Sequence, residues 1–298
     1  MYIGFDIGGT KIEACVLNDA TEILYKERVS TPRNYDEFIH TIVHLVHKIE
    51  TELHIDAKVG LGLPGSISPI SGLVKNANCT FLNGHDLKGD LERFLSRVIS
   101  IENDANCFAL SESVDGAAVS GRLVFGAILG TGCGGGLIID KQIWRGRNAI
   151  AGEWGHNSLP SYSLEKDGPS RQCYCGKSDC IEQYISGTGL ELSYKLATGI
   201  TLGAKGIIEL VKQDEEQAVQ CYKLFIDQAA RAFSQLINVM DPDDIIIGGG
   251  LSNYDAIYND ISVAIQKYLF TDVATVSIKK AKFGDSSGVR GAAWLSRS

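Results

Sequence analysis

The sequence contains no uninterrupted apolar run of the ~18 residues that a membrane-spanning helix needs, and Asp6 breaks its first apolar stretch. No membrane partner is expected. The N-terminus shows no signal-peptide pattern, and a cytoplasmic location is expected. Positive charge is in deficit: 28 Lys and Arg stand against 36 Asp and Glu, for a net charge of −8. A duplex-binding protein carries a basic footprint, so no nucleic-acid partner is expected either. The dithiol redox spacing C-x-x-C is absent. Neither the Walker loop nor the dinucleotide fingerprint occurs between a strand and a helix. No long linker or low-complexity segment interrupts the chain.

What remains is a chain of 298 residues, 44% hydrophobic, with ample core for one large domain or two medium ones. Glycine is abundant (33), which predicts several tight backbone sites. Eight cysteines in a reducing compartment argue against disulfides. Cys15, Cys79, Cys107, Cys133 and Cys221 are scattered and read as small core residues. Cys173, Cys175 and Cys180 are clustered in RQCYCGKSDCIEQY. A metal site, a disulfide with a spare thiol and a redox motif all come into question there.

Along the chain, YIGFDI, IEACVL and EILYKERVS alternate as an antiparallel meander, with GGTK as the first turn. Asn34 and Glu37 fit a capping box, and Phe38, Ile42, Leu45, Ile49 and Leu53 mark one helical face. His40, His44 and His47 fall opposite and read as a solvated face rather than a metal site. VGLGLPG is a buried strand ending in a turn; a helix is expected near 87–97. VISIEND is a further strand, and ANCFALSESV continues as helix. Asp104 therefore sits where a strand stops and a helix starts, a common place for working groups in open α/β sheets.

The opening pattern then returns. FDIGGTKIEACVL and AILGTGCGGGLII are both strand, glycine turn with threonine, strand, about 120 residues apart. This weak repeat predicts two related halves, each headed by a glycine-hinged hairpin, with a boundary near 115–122. Residues 151–189 read as irregular. A long helix over about 215–240, a buried strand DIIIGGG, a helix over 254–269, a strand ATVSIKKA and a last helix GVRGAAWL complete the chain. Glycine turns present backbone N–H groups that bind anions. The candidates are Gly8, Gly9, Thr10 and Lys11; Gly130 to Gly136; and Gly248 to Gly250. Together, with Asp6 just ahead of the first, they suggest a nucleotide site.

DIGGTK, ILGTGCGGG and IIIGGG, in this order, resemble the phosphate-1, phosphate-2 and adenosine motifs of the sugar kinase/Hsp70/actin superfamily. GEWGH and CYCGKSDCIE resemble the ROK family (repressor, open reading frame, kinase) over essentially the whole chain. PGSISPISGLVKNANCTFLNG and FGDSSGVRGAAWL look most like its bacterial fructokinase/mannokinase branch, with the N-acetylglucosamine kinases as neighbours. The resemblance implies an α/β fold: a two-lobed ribonuclease H-like (actin-like ATPase) duplication, each lobe a mixed sheet with flanking helices. Residues 1–118, joined by the C-terminal helix 286–298, would form one lobe, and 119–285 the other. It also implies a homodimer.

Three thiolates need a fourth ligand for tetrahedral zinc. Of the six histidines only His156 is near in sequence, so His156, Cys173, Cys175 and Cys180 are the expected Cys₃His set, and the family places zinc on the matching positions. A fully protein-ligated Zn²⁺ would be structural, stapling a loop that carries Glu153 and Glu182. One departure stands out: Asp179 replaces the glycine usual in the family before the last cysteine.

The implied activity is ATP-dependent phosphorylation of a hexose, fructose first, with mannose and glucose as side substrates; N-acetylglucosamine is the runner-up. Asp104 is the expected base. Asp6 would hold Mg²⁺. Gly65, Asn103, Glu153, His156 and Glu182, with Asp104, would bind the sugar. Gly4, Asp6, Gly8, Gly9, Thr10 and Lys11, then Thr131, Gly132, Cys133, Gly134, Gly135 and Gly136, then Gly249 and Gly250, would meet ATP. A sugar-sensing regulator is the reading from another class. Its family members carry a helix-turn-helix arm, and here the glycine motif begins at residue 4.

Overall fold

The computed structural model describes residues 1–272 and 275–297. Alternation over the first thirty positions produces the expected meander: β1 (Tyr2–Ile7), β2 (Lys11–Leu17) and β3 (Ile23–Ser30), the first two in register from Tyr2↔Leu17 to Ile7↔Ile12. Gly8 N–H donates to Lys11 O (2.9 Å) and closes the turn. Helix α1 (Tyr35–Leu53) starts where Asn34 Oδ1 accepts from Glu37 N–H, and it buries Phe38, Ile42, Leu45 and Ile49. His40, His44 and His47 are exposed on its far face.

β4 (Lys58–Leu63) returns parallel to β1. A small antiparallel pair, β5 (Ser66–Ile67) and β6 (Val74–Lys75), and helix α2 (Leu87–Leu95) lead to β7 (Ile99–Asn103). β7 passes without a loop into α3 (Asp104–Val114). The sheet order is β3-β2-β1-β4-β7. Phe5, Val59, Leu61 and Ile99 from the sheet pack with Phe38, Ile42 and Leu91 from the helices into a dry core.

The second sheet begins with β8 (Leu123–Leu129), β9 (Cys133–Ile139) and β10 (Gln142–Ile143). The helices α4 (Leu164–Asp167), α5 (Glu182–Ile185), α6 (Gly187–Thr198), α7 (Ala204–Lys212) and α8 (Glu216–Met240) follow. β11 (Asp244–Gly248), α9 (Ala256–Ile265) and β12 (Ile278–Lys280) complete it, and α10 (Ser287–Trp294) follows. The order is β10-β9-β8-β11-β12, with β11 parallel to both β8 and β12. A glycine-turned hairpin whose first strand pairs with a later parallel strand occurs in both sheets, the duplication that the repeat predicts. The expected strand over 274–281 is shorter, at Ile278–Lys280, and Ala274 lies outside the described residues. The expected helix 254–269 begins later and ends earlier, at Ala256–Ile265, because Gly250–Asn253 forms a tight 3₁₀ turn ahead of it. Among the described residues no helix is long and apolar enough to cross a membrane.

The chain falls into two units. One comprises 1–119, 136–151 and 285–298; the other comprises 120–135 and 152–284. Residues 136–151, which the sequence groups with the second half, therefore belong to the first unit. The cause is local: Lys141 Nζ donates to Ser113 O (2.8 Å) at the end of α3, and glycine at 136 lets the hairpin lie against Ala105. In the same unit α10 rests directly on the sheet. A Cβ at Gly60 would overlap Ala292 O, and one at Gly4 would overlap Val289 O, so glycine is what permits the contact.

Candidate functional site

The first unit gathers its polar groups at the ends of β1 and β7. Asn103 caps α3: its Oδ1 accepts from Ala105 N–H (2.9 Å) and Asn106 N–H (3.4 Å), and its Nδ2 donates to Gly65 O (3.2 Å). The turn at 64–65 and the head of α3 are thereby tied. Gly65 sits so close to Ala77 that a Cβ would come within 2.7 Å of its Cα. Asp104 is the first residue of α3, and its Oδ1 accepts from Ala105 N–H (2.8 Å). Asp6, at the end of β1, lies beside the first turn of α10, where a Cβ on Gly288 would come within 2.9 Å of Asp6 Oδ2. Burial pushes the Asp6 carboxyl up to about 7, and the negative charges of Asp104 and Glu13 add to the shift. A buried carboxylate whose ionisation a neighbouring carboxylate disfavours is a donor that a divalent cation relieves. Gly8, Gly9, Thr10 and Lys11 form the adjoining turn, and Gly9 has open space where a side chain would be. Gly4 is elsewhere: it lies inside β1 beneath α10, and packing accounts for it. Gly136 likewise faces α3.

In the second unit the β8–β9 turn is pinned by its own chain. Gly130 N–H donates to Gly132 O (3.0 Å), Gly187 N–H to Gly130 O (2.7 Å), and Thr188 Oγ1 to Thr131 O (2.8 Å). Glu182 Oε2 accepts from Cys133 N–H (2.9 Å), and a Cβ on Gly132 would approach the same oxygen to 2.6 Å. Glu182 thus holds the turn, a role its place beside the cysteines did not suggest. Trp154 Nε1 donates to Gly134 O (3.0 Å), and Gly135 leaves room for Phe125 and Trp154. Glu153 precedes a short 3₁₀ turn, Trp154–His156. Cys133 is buried, and burial holds its thiol well above the usual range, so it is packed rather than reactive. Gly249 takes φ +84°, a left-handed conformation that favours glycine, and abuts Leu129; Gly250 next to it is unobstructed.

His156, Cys173, Cys175 and Cys180 come together with one donor atom each, all within 4.8 Å of one another. Cys173 Sγ lies 3.6 Å from His156 Nδ1, and Cys175 Sγ lies 3.6 Å from Cys180 Sγ. A tetrahedron with metal–ligand bonds of ~2.0–2.3 Å has edges of roughly 3.5–3.8 Å; these two separations match such edges, and the donor set suits such an ion. His156 Nε2 lies 3.0 Å from the Tyr174 hydroxyl, where the sequence had suggested a sugar hydroxyl.

Around the cysteines, Asp179 adopts φ +57°. Its carboxylate accepts from Arg171 N–H (2.8 Å), Ser170 Oγ (2.8 Å) and Tyr184 OH (2.6 Å). Burial raises its pKa, and those bonds outweigh burial and hold it below the ordinary range. Arg171, itself buried, reaches Gly189 O (3.1 Å) and Ser193 Oγ (2.9 Å) and stacks on Tyr184 at 4.3 Å. Arg171, Tyr174 and Thr188 were not legible as site residues. Each is an unremarkable residue until the fold brings its partner to it.

The ROK family profile matches residues 2–298. The chain is 43% identical to an N-acetyl-D-glucosamine kinase of Pasteurella multocida and 42% identical to one of Vibrio cholerae, covering 99% of each chain in both pairs. Among solved structures, a ROK hexokinase from Thermus thermophilus superposes with a TM-score of 0.88 at 26% identity, covering 99% of this chain and 97% of that one. A ROK glucokinase from Streptomyces griseus, in complex with glucose and AMPPNP, superposes with a TM-score of 0.78 at 29% identity, covering 99% of each. The paired mixed sheets, the two glycine-turned hairpins and this full-length similarity lead to one conclusion: the chain belongs to the ROK family.

Proposed function

We propose that this protein is a sugar kinase that transfers the γ-phosphate of ATP to the 6-hydroxyl of N-acetyl-D-glucosamine. The observation that carries the reading is the full-length similarity, 41–43% identity, to enzymes named N-acetyl-D-glucosamine kinase, in a chain that keeps Asp104 at the head of α3. It displaces the fructose reading, which rested on short stretches resembling the fructokinase/mannokinase branch.

In this reading Asp104 accepts the proton of the attacking hydroxyl, and Asn103 with the Gly65 turn orients the sugar. Glu153 supplies further hydroxyl contacts, His156 does so where a sugar hydroxyl takes the place of the Tyr174 hydroxyl at its Nε2, and Glu182 acts on the β8–β9 turn. The turns at 8–11, 131–135 and 249–250 carry the N–H groups this reading gives to ATP, with open space at Gly9 and Gly250. Asp6 beside Asp104 is the fitting holder for Mg²⁺, which when bound neutralises charge on the phosphates. His156, Cys173, Cys175 and Cys180 fit Zn²⁺; with all four positions filled by protein, its contribution is to fix the loop.

Asp104→Asn tests the assignment. The variant should fold and bind sugar while kcat falls roughly 10²–10⁴-fold, the usual worth of a positioned base. Turnover near the parent level would remove Asp104 from the chemistry.

A further inference from the structure

Proton transfer to Asp104 requires that the head of α3 be held still. The hairpin of residues 136–151 grips that helix at both ends. At the C-terminal end Lys141 Nζ donates to the carbonyls of Ser113 (2.8 Å), Ala118 (3.3 Å) and Val119. Positive charge is favoured there by the exposed carbonyl dipoles. In the first turn Gly136 lies so near that a Cβ would come within 2.6 Å of Ala105 O and 3.0 Å of Asn106 Cα. At the strand that feeds the helix, Arg145 Nε pairs with Glu102 Oε1.

Glu102 immediately precedes the Asn103–Asp104 corner. It is only 8% exposed, whereas the Arg145 side chain is 59% exposed. Its other oxygen accepts from Asn106 Nδ2 (2.9 Å) and Asn103 N–H (3.3 Å). One carboxylate thus holds the last residue of β7 and the first turn of α3, and a guanidinium from the hairpin neutralises it. A buried carboxylate stripped of its cation must turn toward water. Here it would release Asn103 and Asn106 in doing so.

We propose that Arg145, acting through Glu102, is a positioning residue for the Asn103–Asp104 corner, and that the hairpin 136–151 is the clamp that delivers it. The proposal rests on the kinase reading above for its catalytic consequence, but not for its structural one. Small misplacement of a reacting group costs about 10²-fold in rate.

Arg145→Met, Arg145→Lys, Glu102→Gln and the Glu102→Gln/Arg145→Met double variant test it, each first shown to be folded. Arg145→Met should lower kcat by about 10–100-fold, with the KM for ATP and the dissociation constant for sugar within about threefold of the parent. Arg145→Lys should recover part of the loss. The double variant should be no slower than the slower single, because the two groups act as a unit. Parent-level kcat in Arg145→Met, additive losses, or a lysine variant no better than methionine would overturn the proposal. Amide hydrogen exchange of residues 105–110 gives a readout that needs no activity. Exchange should quicken in Arg145→Met and not in Arg145→Lys, and unchanged exchange would overturn the clamp. If the parent phosphorylates no sugar, the kinase reading fails, and the exchange result alone decides.

Discussion

Asp104 is the residue most legible in the sequence, because VISIEND followed by a helix-forming run fixes both its strand end and its helix start. Asp179 is the opposite case. The sequence marked it only as a substitution for glycine. Its left-handed φ of +57° shows what glycine would supply, and its bonds from Arg171 N–H, Ser170 and Tyr184 show what offsets the strain. Asp179→Gly should therefore lose more than it gains. A net loss of roughly 1–2 kcal/mol is expected, from three bonds of about 1 kcal/mol each against about 1 kcal/mol of relieved strain. Denaturant unfolding of the metal-loaded protein checks this, and a more stable glycine variant would refute it. Asp227 gives a pH prediction. Burial raises its pKa, but bonds from Lys166 and Tyr268 and the charge of Arg231 leave it below the ordinary value. A depressed folded pKa contributes stability that is present above pH ~4 and lost as pH falls through the folded value. Asp227→Asn should be less stable than the parent by about 1 kcal/mol at pH 7, and the difference should shrink as pH falls below ~4. A constant difference across pH would contradict that sign.

Elements with strong periodicity were legible: the opening meander, α1 with its Asn34 cap, and α8. α6 was not, because its first turn reads as a loop. Gly187 and Gly189 are there for close approach, to Gly130 O at 3.0 Å and Gln183 O at 2.8 Å, and the Ser186 cap shows only once the helix is seen. The resemblance placed the C-terminal helix with the first lobe, but the way α10 seats on the first sheet was hidden, since glycine inside a strand reads as weakness rather than as a seat for a helix. Gly60→Ala should destabilise by roughly 1–3 kcal/mol through overpacking, read as a lower Tm. An unchanged Tm would mean that α10 does not press on β4. The cysteine loop carries a prediction of its own. Cys180→Ser should lose bound metal, lower the Tm and raise the sugar KM with little effect on the KM for ATP. Retention of one equivalent of zinc with unchanged KM would remove the loop-fixing role.

At the scale of the whole molecule the duplication was visible in two glycine-turned hairpins, and both sheets repeat it. The boundary was only partly visible. Residues 136–151 follow the second hairpin in sequence but belong to the first unit, because Lys141, Gly136 and Arg145 attach to α3 and to Glu102, and pairwise contacts of that range leave no periodic trace. The sugar was least legible. The reading as a sugar kinase rests on Asp104, the glycine turns and the cysteine cluster, and none of them bears on whether a 2-acetamido group is accepted. Short stretches pointed to fructose; full-length similarity points to N-acetyl-D-glucosamine. The most direct measurement is ADP release from Mg·ATP with N-acetyl-D-glucosamine, glucose, mannose and fructose offered separately to zinc-loaded protein. The expected result is the highest kcat/KM on N-acetyl-D-glucosamine, abolished in Asp104→Asn. Highest kcat/KM on fructose, or no turnover on any of the four, would contradict it.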